Sequence, residues 1–294
     1  MNSEISSLQQ KLADAGYIAD RALATTLVLM DRLQRPLLIE GDAGVGKTAL
    51  AQACAAVHDT EVIRLQCYEG LDVGQAVYEW NYTHQLLSIK MQEGSSEPLA
   101  AREAEIFSER FLLARPLLRA ITQQRAPVLL IDEIDRADEQ FEAFLLEVLS
   151  DWQVSVPELG TLRAVSIPRV ILTSNATREL SDALRRRCLY FFLDYPTMDK
   201  ELHIISRRLP GINEQLARQI VSFVQAMRKL DLRKRPGVAE TLDWAASLVA
   251  LEVTSLANNP EQLANTFTCL LKTQEDRQRM DNATVQGLLF KAYG

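Results

Sequence analysis

Five short runs, apolar at nearly every position, punctuate the first two thirds of the chain: Pro36 to Glu40 (PLLIE), Val62 to Gln66 (VIRLQ), Val128 to Asp132 (VLLID), Val170 to Thr173 (VILT) and Leu189 to Leu193 (LYFFL). A run without alternation buries both faces, as a strand inside a parallel sheet does, and the helix-length segments between the runs supply the crossovers that parallel strands require. The pattern predicts an α/β layer structure, a parallel sheet covered by helices on both faces. After Tyr195-Pro196 the period changes to helices only. Leu202, Ile205 and Leu209 mark one stripe that stops at Pro210-Gly211, and Leu216, Ile220, Phe223, Met227 and Leu230 mark a second. A third helix is expected after Pro236-Gly237, and a fourth at Asn259-Pro260, where a capping residue precedes a proline at the first helical position. The expected organisation is an α/β domain over residues 1–195 and an all-α domain over residues 196–294, with Gln92 to Pro98 (QEGSSEP) as an exposed loop.

Composition removes several classes. The 294 residues are 47% apolar and 24% charged, an ordinary globular balance. With 32 basic and 39 acidic side chains the net charge is −7, so no bulk basic field gathers nucleic acid or an anionic membrane, although a local basic patch stays open. No apolar run approaches the roughly 18 residues that span a bilayer. The first residues, MNSEISSLQQ, lack the apolar core of a secretory signal, so a cytoplasmic protein is expected. Cysteines 54, 67, 188 and 269 have no CxxC spacing and are expected as reduced, mostly buried thiols.

The segment Gly41, Asp42, Ala43, Gly44, Val45, Gly46, Lys47, Thr48 fits GxxxxGK[ST], follows the first strand and opens an alanine-rich helix from Ala49 to Ala56. Glycines let such a loop curl until its N–H groups and the helix N-terminus point at phosphate oxygens, the lysine reaches the β and γ phosphates, and the threonine hydroxyl ligates Mg²⁺. A chance match is the bland alternative, and the strand before and helix after argue against it. The third run ends in two carboxylates, Asp132 and Glu133. Consecutive strand residues point to opposite faces, so the two cannot share a task. Asp132 suits Mg²⁺, and Glu133 suits the general base that polarises an attacking water. The further acids Asp135, Asp138 and Glu142 are read as a solvated helix face.

The fourth run leads into Asn175, at the carboxyl edge where ligands sit in open α/β sheets, and its amide is placed to position the water opposite Glu133. The alternative is a loop-initiating asparagine. Before the fifth run stand Arg185, Arg186 and Arg187. Such a run is usually a solvated helix end that complements the dipole. Supplied by a neighbouring subunit to a phosphoryl-transfer centre, a guanidinium accelerates the reaction by about 10³ to 10⁵.

Together these motifs resemble the AAA+ ATPases over essentially the whole chain. Within that superfamily the wording is similar to the MoxR branch, close to its CoxD-type members: Tyr17 to Asp20 (YIAD), Tyr78 to Tyr82 (YEWNY) followed by Gln85 to Leu87 (QLL), Asp132 to Asp138 (DEIDRAD), and Arg235 to Trp244 (RPGVAETLDW). The resemblance implies strand order 5-1-4-3-2, a helical insert near residues 71–95, a hairpin before the Asn175 strand near 152–168, and assembly into a ring, usually a hexamer. It also implies that Lys47 and Thr48 serve as Walker A and Asp132 and Glu133 as Walker B. Asn175 becomes sensor 1, and Arg187 the arginine finger with Arg186 as alternate. Many relatives carry a Ser-Pro-Arg-like sensor 2 string where this chain reads Arg235-Pro236-Gly237, so either Arg235 substitutes or sensor 2 is missing.

The function implied is an ATP- and Mg²⁺-dependent chaperone. It would work with a von Willebrand factor A domain adaptor to mature or activate a metal-cofactor enzyme, a carbon monoxide dehydrogenase-like molybdenum hydroxylase. Two other classes compete. A nucleic-acid motor would use the hairpin, yet Trp152 to Val165 offers one basic residue, Arg163, so nucleic acid is not the expected partner. A nucleotide-gated ring scaffold with little turnover would keep Lys47 and not need Glu133.

Overall fold

The computed structural model describes residues 1–92, 98–256 and 260–293. Nine strands form among them: β1 (Leu37–Glu40), β2 (Val62–Gln66), β3 (Tyr78–Trp80), β4 (Leu112–Ala114), β5 (Val128–Asp132), β6 (Gln153–Val156), β7 (Gly160–Arg163), β8 (Arg169–Ser174) and β9 (Leu189–Phe192). The chain divides into two compact units, one of residues 1–5, 21–40 and 51–191, the other of residues 6–20, 41–50 and 192–294.

The first unit is built on a five-stranded parallel sheet in the order β2-β5-β8-β1-β9. Counted along the chain as the five main strands, this is 2-3-4-1-5, the implied order read from the opposite edge. Register places Leu37 beside Ile171, Val128 beside Arg169, and Gln66 beside Asp132, so the strands end together at one carboxyl edge. Every residue of β1 and β5 is buried, and β8 is buried from Val170 onward. The two edge strands depart from the expected continuous burial. In β2 the exposed position is Arg64, and in β9 Tyr190 and Phe192 turn outward, because an edge strand has a neighbour on one side only. The core beneath the sheet gathers Leu38, Ile63, Leu129, Phe141, Leu145 and Val170, with Phe111 and Leu117 from flanking elements.

The implied insert is present as the helices Val73–Ala76 and Tyr82–Met91, tied down by an antiparallel ladder in which Tyr78 faces Ala114 and Trp80 faces Leu112. Asn81 caps the second helix by accepting from the His84 N–H at 3.1 Å. Most of the expected loop at Gln92 to Pro98, residues 93–97, lies outside the described residues. The hairpin is β6 with β7, Gln153 facing Arg163, after a helix Glu139–Asp151 that ends on a left-handed Trp152 (φ +51°).

The second unit is helical. Helices Met198–Arg208, Glu214–Met227 and Val238–Ala250 match the three expected stripes. The fourth is seen from Pro260 to Thr266, while its expected capping residue, Asn259, lies outside the described residues. Two further helices, Gln274–Arg279 and Asn282–Tyr293, complete it. Its core stacks Phe223 on Phe267 at 5.7 Å, with Trp244 5.2 Å from Phe223, and the buried Trp244 Nε1–H donates to Thr266 Oγ1 at 2.7 Å. Trp244→Ala removes that ring from a filled core and is expected to cost about 3–5 kcal/mol, read as a fall in the denaturation midpoint. An unchanged midpoint would show that the ring is not core packing. Among the described residues no helix is long and apolar enough to cross a membrane.

Candidate nucleotide site

In the second unit, the loop Gly41 to Gly46 turns on glycines in the left-handed region, Gly44 at φ +79° and Gly46 at φ +100°, conformations that side chains resist. The loop runs into a helix Lys47–Val57, slightly longer than expected, with Thr48 and Ala49 in its first turn. Lys47 is 8% exposed, and its ammonium donates to the carbonyls of Gly41 and Asp42, the latter at 2.9 Å. A buried ammonium, a helix N-terminus and the Thr48 hydroxyl form a donor set suited to a polyphosphate.

The helical unit grips this loop. The Gly44 carbonyl accepts the Val238 N–H at 2.9 Å, and the Gly237 N–H is taken by Glu240 Oε2 at 2.9 Å. A Cβ on Gly237 would stand 2.8 Å from Gly44 Cα and 2.9 Å from the Ala43 carbonyl, closer than real Cβ contacts come. The bend is held from behind by a buried ion pair. Arg228 donates to both carboxylate oxygens of Glu201, at 2.7 and 2.6 Å, and to the Pro236 carbonyl at 2.7 Å. Position 237, where the Ser-Pro-Arg pattern carries its arginine, therefore has no room for a side chain. Gly237→Ala is expected to destabilise the chain by about 1–3 kcal/mol through overpacking, and Gly237→Arg to do so without raising ATP turnover. A gain of turnover in Gly237→Arg would contradict this reading of the contact. Arg235 is exposed and lines a cleft of about 520 Å³ with Asp42, Ala43, Tyr195 and Lys272.

In the first unit, Asp132 is 4% exposed and accepts from the Thr173 hydroxyl at 2.5 Å and from the Arg64 guanidinium at 2.6 Å. Glu133 leaves the strand with φ +56°, a left-handed backbone that is strained for a side chain. That backbone is stabilised by a hydrogen bond from the Glu133 N–H to Thr173 Oγ1 at 2.9 Å. Its carboxylate meets three donors: Gln66 Nε2 at 3.1 Å, Asn175 Nδ2 at 3.4 Å and Arg136 Nε at 3.0 Å. The structure thus brings Asp132, Glu133 and Asn175 together at the carboxyl ends of β5 and β8.

Two acids expected on a solvated face are buried instead. Asp135, 3% exposed, accepts the Asn175 N–H at 3.2 Å, the Thr177 N–H at 3.0 Å and the Thr177 hydroxyl at 2.6 Å. Burial pushes its carboxyl up, but these hydrogen bonds outweigh burial and leave its pKa below the ordinary value. Asp135 therefore ties the strand carrying Glu133 to the loop carrying Asn175. Glu142, 1% exposed, pairs with Arg178 and accepts the Ser181 N–H at 2.9 Å. Asp138 remains exposed and caps the helix Glu139–Asp151 through the Phe141 N–H at 2.8 Å.

The three arginines end the helix Asp182–Arg187 and point to different places. Arg185 lies 3.9 Å from Glu40 and over the Tyr190 ring. Arg187 donates to Ser150 Oγ at 2.6 Å and to the Ala183 carbonyl at 3.5 Å. The exposed Arg186 side chain makes no hydrogen bond or ion pair among the described residues. None of the three guanidiniums bonds Glu133 or Asn175 among those residues.

A family model described as AAA domain (dynein-related subfamily) matches residues 36–188, more than half of the chain. The chain belongs to this AAA family. It is thereby an AAA+ ATPase by family, and the strand order, the loop after β1 and the helical C-terminal part are those of that fold. Two uncharacterized proteins of Staphylococcus aureus, from strains bovine RF122 / ET3-1 and COL, are each 25% identical over 262 residues, 85% of this chain and 90% of theirs. Among solved structures the chain is similar to a point mutant of Thermotoga maritima RuvB (20% identity, TM-score 0.47, 84% of this chain and 67% of that one). It is also similar to the Thermotoga maritima RuvB Holliday junction branch migration motor (17% identity, TM-score 0.45, 95% and 72%).

Gln66, Arg64 and Thr173 around the carboxylates of the first unit, and Gly237 against the loop of the second, are not among the residues that the sequence singles out. Gln66 was within reach, since the strand order puts the last residue of the second main strand beside Asp132. Arg64 and Thr173 occupy ordinary strand positions and carry no local signal. Gly237 looked like a helix start, and only the approach of Gly44 explains it.

Proposed function

We propose that this AAA+ chain is a MoxR-type ATPase of the CoxD-like subgroup that hydrolyses ATP at subunit interfaces of a ring, expected to be hexameric. Residues 1–195 form the nucleotide-binding domain and 196–294 the lid. The loop from Gly41 to Gly46, with Asp42, Ala43 and Val45 at its bend, and Lys47 and Ala49 behind it hold the phosphates. Thr48 and Asp132 hold Mg²⁺, which when bound neutralises charge on the phosphate oxygens. Glu133 takes the proton of the water that attacks the γ-phosphorus, Asn175 orients that water, and ADP leaves with the electron pair of the broken P–O bond. An arginine of the neighbouring subunit, Arg186 or Arg187, stabilises the developing charge, and Arg235 contacts nucleotide from the lid.

The observation that carries the hydrolytic reading is Glu133, a partly exposed carboxylate held by Gln66, Asn175 and Arg136 directly after the Mg²⁺ aspartate. The work of the cycle is the maturation or activation of a metal-cofactor enzyme, a molybdenum hydroxylase of the carbon monoxide dehydrogenase type, through a von Willebrand factor A domain adaptor. Purified chain is expected to co-elute with such a client plus adaptor and to hydrolyse ATP faster in their presence. Neither effect with the pair present would count against the chaperone role. The ring-scaffold reading gains support from the lack of room for a side chain at position 237, and it predicts ATP-dependent assembly without phosphate release.

A further inference from the structure

The last carbonyls of a helix have no partners within it. At the end of Asp182–Arg187 three such acceptors are bonded by one distant side chain. Arg35 donates from Nη2 to the carbonyls of Arg186 at 2.5 Å and Cys188 at 3.3 Å, and from Nε to the Arg187 carbonyl at 3.1 Å. Arg35 is itself fixed on both sides. The helix Arg21–Leu33 closes on a left-handed Gln34 (φ +49°), and the Arg35 N–H returns to the Met30 carbonyl at 3.3 Å, the backbone signature of a Schellman end. The next residue, Pro36, accepts the Leu189 N–H at 2.7 Å where β9 begins. A rigid corner before β1 thus clamps the turn between the arginine helix and β9.

A fourth cation beside three arginines adds repulsion, so its placement needs a gain. Donating to helix-end carbonyls complements the dipole and pins the turn whose residues are Arg186 and Arg187. With Arg185 turned to Glu40 and Arg187 to Ser150, Arg186 is left to project outward from a backbone that Arg35 immobilises. We propose that Arg35 is a positioning residue for Arg186, setting the direction in which that guanidinium reaches the nucleotide bound by a neighbouring subunit. This rests on the reading that an arginine acts between subunits.

The test is ATP turnover of Arg35→Gln, Arg35→Lys, Arg186→Ala and Arg187→Ala, with nucleotide affinity and ring mass measured for each. Arg35→Gln is expected to lose at least tenfold in turnover, with affinity within twofold and ring mass unchanged. Arg35→Lys, which keeps the charge and loses the fork, is expected to recover part of that loss. Mixing then separates positioning from damage to the fold. Arg35→Gln subunits keep Glu133, whereas Glu133→Gln subunits keep a positioned Arg186. Rings assembled from equal amounts of the two, each at a tenth of wild-type turnover or less alone, are expected to regain about a quarter of wild-type turnover, the share of head-to-tail interfaces that pair the two intact halves. A mixture of Arg35→Gln with Arg186→Ala is expected to stay inactive. If Arg186→Ala loses turnover while Arg35→Gln keeps it, or if the complementing mixture stays dead, the positioning role is overturned. If Arg186→Ala and Arg187→Ala both keep wild-type turnover, the reading of an arginine acting between subunits falls and the proposal falls with it.

Discussion

Glu133→Gln is expected to reduce steady-state ATP turnover by about 10²–10⁴, the usual loss when a positioned general base is removed. The substitution is nearly isosteric, and the left-handed backbone at 133 rests on the main-chain bond to Thr173, which the change does not touch. The carboxamide keeps one acceptor oxygen, so the ion pair to Arg136 goes together with one of the hydrogen bonds from Gln66 and Asn175; the ion pair, with side chains 59% and 31% exposed, contributes little to stability. ATP affinity should persist, because Lys47, Thr48 and the loop amides are unaltered. Phosphate release and a nucleotide-binding titration on the same preparations check both halves. A variant that turns over within tenfold of wild type would remove Glu133 from the chemistry.

Arg186→Ala is expected to lose about 10³–10⁵ in turnover, the range for an arginine supplied between subunits. The three arginines differ in what they touch, which makes the comparison informative. Arg187 is the finger that the resemblance implies, yet its guanidinium is occupied by Ser150 and the Ala183 carbonyl of its own chain. Arg187→Ala is therefore expected to show the smaller loss. The alternative, that all three merely complement a helix end, predicts no change in turnover from either variant and stability changes of about 0.3–1 kcal/mol each. Single-turnover hydrolysis with saturating protein distinguishes the two, and equal turnover in wild type and Arg186→Ala would decide for the helix-end role.

The fold was legible where burial left no choice. β1, β5 and β8 lie inside the sheet, so their runs are apolar throughout, and each was located to within a residue or so. The turn after β1 was legible because its glycines, lysine and threonine have a fixed spacing before a helix. What the sequence hid is mostly long-range. The ladder of β3 with β4 is three residues on each side and pairs positions 32 or more apart, too short for any alternation to register. Asp135 and Glu142 followed the periodicity of a polar helix face, and tertiary donors from residues 175 to 181 buried them. The role of Arg35 depends on carbonyls some 150 positions away, and no local pattern encodes that.

A hydrolytic ring is tested most directly by wild-type phosphate release measured alongside molar mass by size-exclusion light scattering, with and without ATP and Mg²⁺. Sustained turnover is expected together with a shift from a smaller species to a closed oligomer near six chains in ATP. A chain that remains monomeric in ATP, or that assembles fully while releasing no phosphate, would contradict it.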